Sequence, residues 1–155
     1  MAASLDPASA SDGPLAFLTR EHRDCDALWA NLEEALDAED EGTVGTLWPR
    51  FDAAMRRHLA MEEEVIFPAL EAAMGMRGFG PVQVMKHEHM QMRALLDRMA
   101  QAALSGAWQE MMDEGDTLLM MVGQHNAKEE GVLYPMIQQR LASEWSALSE
   151  ELSRY

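Results

Sequence analysis

The segment 58–68, HLAMEEEVIFP, is written a second time at 125–135 as HNAKEEGVLYP. Both copies fit His-x-x-x-Glu-Glu-x-Val-apolar-aromatic-Pro, and 67 residues separate them. The same offset relates EHRDCDAL, which holds His22, to EHMQMRAL, which holds His89; it also relates Gly13-Pro14 to Gly80-Pro81. The chain therefore reads as one helical hairpin used twice. Each copy supplies two histidines and one glutamate at matching places.

Working outward, apolar residues recur at helical spacing around each segment. A first helix is expected from Pro14, with Asp12 or Ser11 as its cap and proline tolerated in its first turn. It carries Leu15, Leu18, His22, Cys25, Trp29, Leu32 and Leu36 on one stripe and fades in the acidic stretch 37–42. A second is expected over 46–74, with Phe51, Met55, His58, Glu62, Val65 and Ala69 inward and a bend at Pro68. After a loop at 75–80, a third starts near Pro81 with Val82, Met85, His89, Met92, Leu96 and Met99. A fourth covers 108–140 with Leu118, Val122, His125, Glu129, Val132 and Met136 inward, and Pro135 matches Pro68. No stretch alternates with period two, so the chain reads as all-α. Helices about 35–40 Å long joined by short loops predict an up-down-up-down four-helix bundle built from a duplicated hairpin. The bundle is expected over 13–142, after a flexible tail at 1–12, with 143–155 forming a short C-terminal helix or a frayed end.

The polar members of these stripes carry the chemistry. His22, His58, Glu62, His89, His125 and Glu129 all fall at core positions among apolar residues. An unpartnered buried carboxylate or imidazole costs several kcal/mol, and six together are prohibitive for a domain stable by only about 5–15 kcal/mol. They must satisfy one another or bind something. His-x-x-x-Glu places each pair on one helix face, and the repeat brings the two pairs to similar depth, opposite His22 and His89. Four imidazoles and two carboxylates suit two metal ions, each held by two histidines, with Glu62 and Glu129 bridging. The competing reading is a set of structural His-Glu ion pairs. The Glu-x-x-His spacing of ferritin-like di-iron bundles is absent around His58, His89 and His125. So are the zinc-protease helix motif, the Gly-rich phosphate loop and the nucleophile elbow.

Composition sets outer bounds. The chain has 155 residues, room for one domain, and a formal net charge of −15, which opposes nucleic acid and anionic lipid alike. With one cysteine no intramolecular disulfide can form, which fits a reducing compartment. The N-terminus lacks the basic and apolar regions of a signal peptide, and no uncharged apolar run approaches about 18 residues. The expectation is a cytoplasmic protein that binds neither nucleic acid nor membrane.

The two HxxxEE segments, each matched with an EH element, resemble the hemerythrin-like family in its HHE cation-binding branch, and the resemblance spans residues 14–140. It implies a four-helix bundle around two non-haem iron ions with an oxo or hydroxo bridge, and gives the ligand roles to His22, His58, Glu62, His89, His125 and Glu129. Iron comes from the resemblance; the residue types alone also suit zinc, and zinc or mixed occupancy is compatible with them. The oxygen-carrying hemerythrins show His-x-x-x-His on the third helix and His-x-x-x-x-Asp on the fourth. Here Met85 and Arg93 flank His89 at that distance, and the fourth-helix acid is Glu129 at spacing four. One histidine is thus missing. The two irons are expected to be nearly equivalent and five-coordinate, each with a position open to dioxygen, peroxide or nitric oxide.

These residues lead to a protein that binds or senses a small diatomic molecule or peroxide. The alternatives are a peroxidase- or catalase-like scavenging enzyme and an iron storage or iron-centre repair protein. Several neighbours have two readings. His87 falls at an outward position, as a surface histidine. Cys25, one turn after His22, reads as a small buried hydrophobe or as lining for the pocket. Glu63 and Glu130 either orient ligand histidines or face solvent. Tyr134 stands where the first copy has Phe67, for packing or as a phenol able to hydrogen-bond a bound oxygen species. The fourteen methionines read as plastic core packing or as an oxidant-tolerant lining.

Overall fold

A computed structural model describes residues 12–155; residues 1–11, with Ser11 and nearly all of the expected tail, lie outside the described part. Helices dominate it, and no strand occurs among the described residues. Helix α1 spans Pro14–Asp37. Helix α2, Glu41–Met61, runs through a π turn at Glu62–Ile66 into α3, Phe67–Met74. Helix α4 is Gly80–Ser105. Helix α5, Trp108–Lys128, runs through a second π turn at Glu129–Leu133 into α6, Tyr134–Leu141. A 3-10 turn leads to α7, Trp145–Leu152. Four long rods result: α1, α2–α3, α4 and α5–α6. Helix α1 packs along α2, α4 along α5, α1 also on α6, and α3 on α6.

One helix cap and one helix start differ from expectation. Asp12 does not cap α1; it pairs with Arg20 at 3.5 Å on the surface. The cap comes from across the bundle, where Gln138 of α6 accepts the Leu15 N–H through Oε1 at 3.1 Å. Gly13 makes room for it: its φ is +93°, and a Cβ there would sit 2.9 Å from the same oxygen. Helix α2 begins at Glu41, not at 46. Asp40 caps it, accepting from the Thr43 N–H at 3.2 Å and from the Thr43 hydroxyl at 2.6 Å, which offsets the weak helix propensity of Gly42 and Gly45.

The π turns explain the largest difference in side-chain direction. In each, an N–H reaches five residues back, from Phe67 to the Glu62 carbonyl and from Tyr134 to the Glu129 carbonyl. Pro68 and Pro135 follow immediately. A proline ring lacks an N–H and crowds the carbonyl four residues earlier; the widened turn accommodates it. One extra residue per turn also rotates everything downstream. Leu70 is therefore buried where Ala69 was expected, and Leu133 and Ile137 replace Val132 and Met136. Val132 is 58% exposed.

The core has two apolar clusters. One contains Trp29, Leu32, Phe51, Met55, Leu96, Met99 and Leu118; the other contains Phe17, Ile66, Phe67, Val82, Leu133, Ile137 and the α7 residues Trp145 and Leu152. Trp145 lies against Phe17, ring centroids 5.4 Å apart. Along every rod the predicted site residues fall between members of the two clusters, as His22 does between Leu18 and Cys25.

Candidate metal centre

All six predicted residues are buried, none more than 4% exposed, and they converge. His58 and His125 occupy the last turns of α2 and α5, and Glu62 and Glu129 open the π turns that follow. The His-x-x-x-Glu pairs thus lie on intact α-helical spacing, just ahead of the register change, a place where π turns commonly serve function. His22 and His58 face each other with ring centroids 4.9 Å apart. His89 and His125 do the same, and their Nε2 atoms are 3.2 Å apart.

The carboxylates span the two histidine pairs. Glu62 Oε1 lies 3.1 Å from His58 Nε2 and 3.4 Å from His89 Nε2. Glu129 Oε1 lies 3.1 Å from His22 Nε2 and 3.0 Å from His125 Nε2. Donor atoms close enough to share an ion form two groups, Glu62–His89–His125–Glu129 and His22–His58–Glu129. Glu62 Oε1 and Glu129 Oε2 are buried without a hydrogen-bond partner among the described residues. Buried carboxylate oxygens in that condition, ringed by ring nitrogens, fit a cation.

Without a cation the cluster compensates itself by proton sharing. Burial would lower the pKa of His89, but the adjacent carboxylates of Glu62 and Glu63 raise it to about 9. Burial opposes protonation of His22 too, and contacts with Glu129, Glu62 and Glu130 outweigh it. Burial pushes Glu62 upward, yet His58 and His89 hold it well below the ordinary carboxylate range.

A second ring of carboxylates stands behind the histidines. His22 Nδ1 lies 3.1 Å from Glu130 Oε2, and Arg23 holds the other oxygen of that carboxylate at 2.6 Å. Glu63 Oε1 faces His89 Nδ1 at 3.4 Å, an ion-pair contact out of line for a hydrogen bond, and is gripped by Arg93 at 3.1 Å. Glu63 and Glu130 thus face the histidines and not solvent alone. Glu88 was missed: its Oε1 lies 3.1 Å from His125 Nδ1, while Lys128 binds its other oxygen. Only packing of α4 on α5 makes that contact, so no periodicity announces it.

Tyr134 breaks the likeness of the two copies. Its hydroxyl lies 2.8 Å from His22 Nε2, 2.9 Å from Glu62 Oε2 and 3.2 Å from Glu129 Oε1. Burial and the two carboxylates push its pKa well above the ordinary value, so it remains a donor. Phe67, its counterpart, is stacked near His89 at 5.9 Å. The surroundings of the two histidine pairs thus differ, with a phenol beside His22 and a phenyl ring beside His89. His87 is exposed. Cys25 is buried within the Trp29 cluster, and burial pushes its thiol up to about 12, leaving it an inert hydrophobe.

The chain matches the hemerythrin HHE cation binding domain over residues 13–137. Iron-sulfur cluster repair protein YtfE of Musicola paradisiaca is 43% identical over 35 residues, 23% of this chain and 16% of that protein. The protein of the same name from Edwardsiella ictaluri is 45% identical over 40 residues, 26% of this chain and 18% of that one. The matched stretch is less than a fifth of the length of either relative. No solved structure matches. No described helix is long and apolar enough to cross a membrane. The match over most of its length shows that the chain belongs to the hemerythrin HHE cation-binding family.

Proposed function

We propose that the chain is a non-haem di-iron protein that binds or senses dioxygen, peroxide or nitric oxide. The observation that carries this is the pair of buried donor groups sharing Glu129. His22 and His58 would hold one iron, His89 and His125 the other, and Glu62 and Glu129 would bridge them. Bound iron supplies redox chemistry and a position for a small ligand. The protein supplies the rest. Glu130, Glu63 and Glu88 orient the histidines, the two apolar clusters keep bulk water from the centre, and the Tyr134 hydroxyl donates a hydrogen bond at the His22 side. The proposal extends to an up-down-up-down course for the duplicated hairpins and a cytoplasmic location.

Iron-loaded protein should absorb in the visible and respond when nitric oxide or peroxide is added. Two bound irons with an unchanging spectrum would contradict ligand sensing. The short stretches shared with the iron-sulfur cluster repair proteins favour a second reading, in which the chain donates iron to damaged iron centres. Transfer of iron to an apo acceptor protein, with no response to small ligands, would favour that reading.

A further inference from the structure

The internal repeat offers a control within one molecule. Glu88, the residue before His89, reaches across to His125 Nδ1 at 3.1 Å. Its counterpart in the first copy is Glu21, the residue before His22, and the counterpart of His125 is His58. The equivalent contact is not made. Both oxygens of the buried Glu21 are taken by Arg57 Nη2, at 3.0 and 2.9 Å. His58 Nδ1 is left buried with no hydrogen-bond partner among the described residues. His89 Nδ1 is without a hydrogen bond too, but it faces the Glu63 carboxylate at 3.4 Å, whereas no carboxylate contact is made at His58 Nδ1 among the described residues. At the position matching Arg57 the second copy has Gln124, an uncharged side chain that makes no such demand on Glu88.

A carboxylate behind a ligand imidazole fixes its tautomer, holds the ring toward the ion and makes its other nitrogen more basic. His125 has this support and His58 lacks it. The partner of His58 is also compromised. His22 Nε2, the nitrogen facing the centre, lies 2.8 Å from the Tyr134 hydroxyl, which competes with a cation for the space in front of that nitrogen. On the opposite side, His89 meets the hydrocarbon ring of Phe67.

Resting on the two-cation reading above, we propose that the positions are unequal. The His22/His58 position holds its ion more weakly and exchanges it, because Arg57 withholds Glu21 from His58. The His89/His125 position is the permanent one. Loss of such a supporting carboxylate costs roughly 10–100-fold in metal affinity, which sets the expected gap. One iron is then the resident ion and the other the replaceable one, whether what arrives or leaves is the ion or a ligand bound to it.

The test is an anaerobic titration of the full metal-free chain with cobalt(II) against a competing chelator, followed by the visible bands of bound cobalt. Two binding steps at least about tenfold apart are expected. Arg57→Gln, which copies Gln124 into the first half, should free Glu21 and tighten the weaker step, narrowing the gap. Glu88→Gln should loosen the tighter step and narrow it from the other side. Tyr134→Phe should tighten the weaker step; loosening would show that the hydroxyl serves as a ligand and overturn its assigned role as competitor. Two equivalents bound in one indistinguishable step would overturn the inequality while leaving the two-cation reading intact. An unchanged gap in Arg57→Gln would overturn its assigned cause. Binding of one equivalent or none would remove the two-cation reading and this inference together.

Discussion

Trp29, Phe51, Leu96 and Leu118 fill one end of the bundle with hydrocarbon, and Phe67, Val82, Ile137 and Trp145 fill the other. Between them lies a layer of six ionisable side chains, just as thoroughly buried. The apolar ends gain stability directly from the surface they remove from water, at about 25 cal/mol per Å². The layer works against folding unless its charges are compensated. Proton sharing compensates it in part, and a cation compensates it better, because ring nitrogens and carboxylate oxygens all become donors to one charge. The comparison separates parts that fold on their own account from a part that folds in anticipation of a ligand.

The comparison breaks most sharply at Glu129, which belongs to both donor groups. Glu129→Gln keeps the volume and removes the shared charge; metal content, by elemental analysis, should drop from two equivalents to one or none. Two equivalents retained would show that the layer does not need its bridge.

Removing metal from the native protein should come next in size. Binding at a thousandfold excess over Kd stabilises by about 4 kcal/mol, and each kcal/mol moves Tm by about 2–4 °C in a domain of this size. Chelation should therefore lower Tm by on the order of 10 °C in calorimetry. An unchanged Tm would place the layer with the self-sufficient ends.

The apolar end offers the converse. A Cβ added at Gly115 would lie 2.0 Å from the Trp29 ring, so Gly115→Ala should cost about 1–3 kcal/mol in denaturant unfolding while metal stoichiometry stays at two.

The pH response sharpens the contrast with a smaller effect. In metal-free protein the His89 pKa is raised from 6.5 to about 9, so its contribution is complete below 6.5 and is lost as pH rises toward 9. Glu63 is lowered from 4.5 to about 2, burial being outweighed by His89 and Arg93, so its contribution is present above 4.5 and is lost on acidification toward 2. Metal-loaded protein should behave oppositely on the alkaline side, since ligand histidines must be deprotonated to bind. Tm measured from pH 6.5 to 9 should fall without metal and hold or rise with it; parallel curves would contradict the account. Smallest of all, Cys25→Ala should leave metal content unchanged, because the thiol packs in the Trp29 cluster.

Much of this was legible in the residues. The 67-residue repeat and the helical spacing located all six converging side chains, because a polar residue on an apolar stripe has nowhere to point but inward. The same spacing failed after Glu62 and Glu129. A π turn adds one residue without altering composition, so Val132 was expected inside and Leu133 took its place; the prolines at 68 and 135 marked the spot but read as bends. The start of α2 was set by Asp40 and Thr43, a local cap overshadowed by two glycines. Contacts made only by packing, such as Glu88 with His125, Gln138 with Leu15 and Arg57 with Glu21, have no periodic trace.

Diffraction from crystals of iron-loaded protein, with data on both sides of the iron absorption edge, addresses the layer most directly. The account predicts two anomalous peaks, one among His22, His58 and Glu129 and the other among Glu62, His89, His125 and Glu129. A single peak, or iron bound only outside these six side chains, would contradict it.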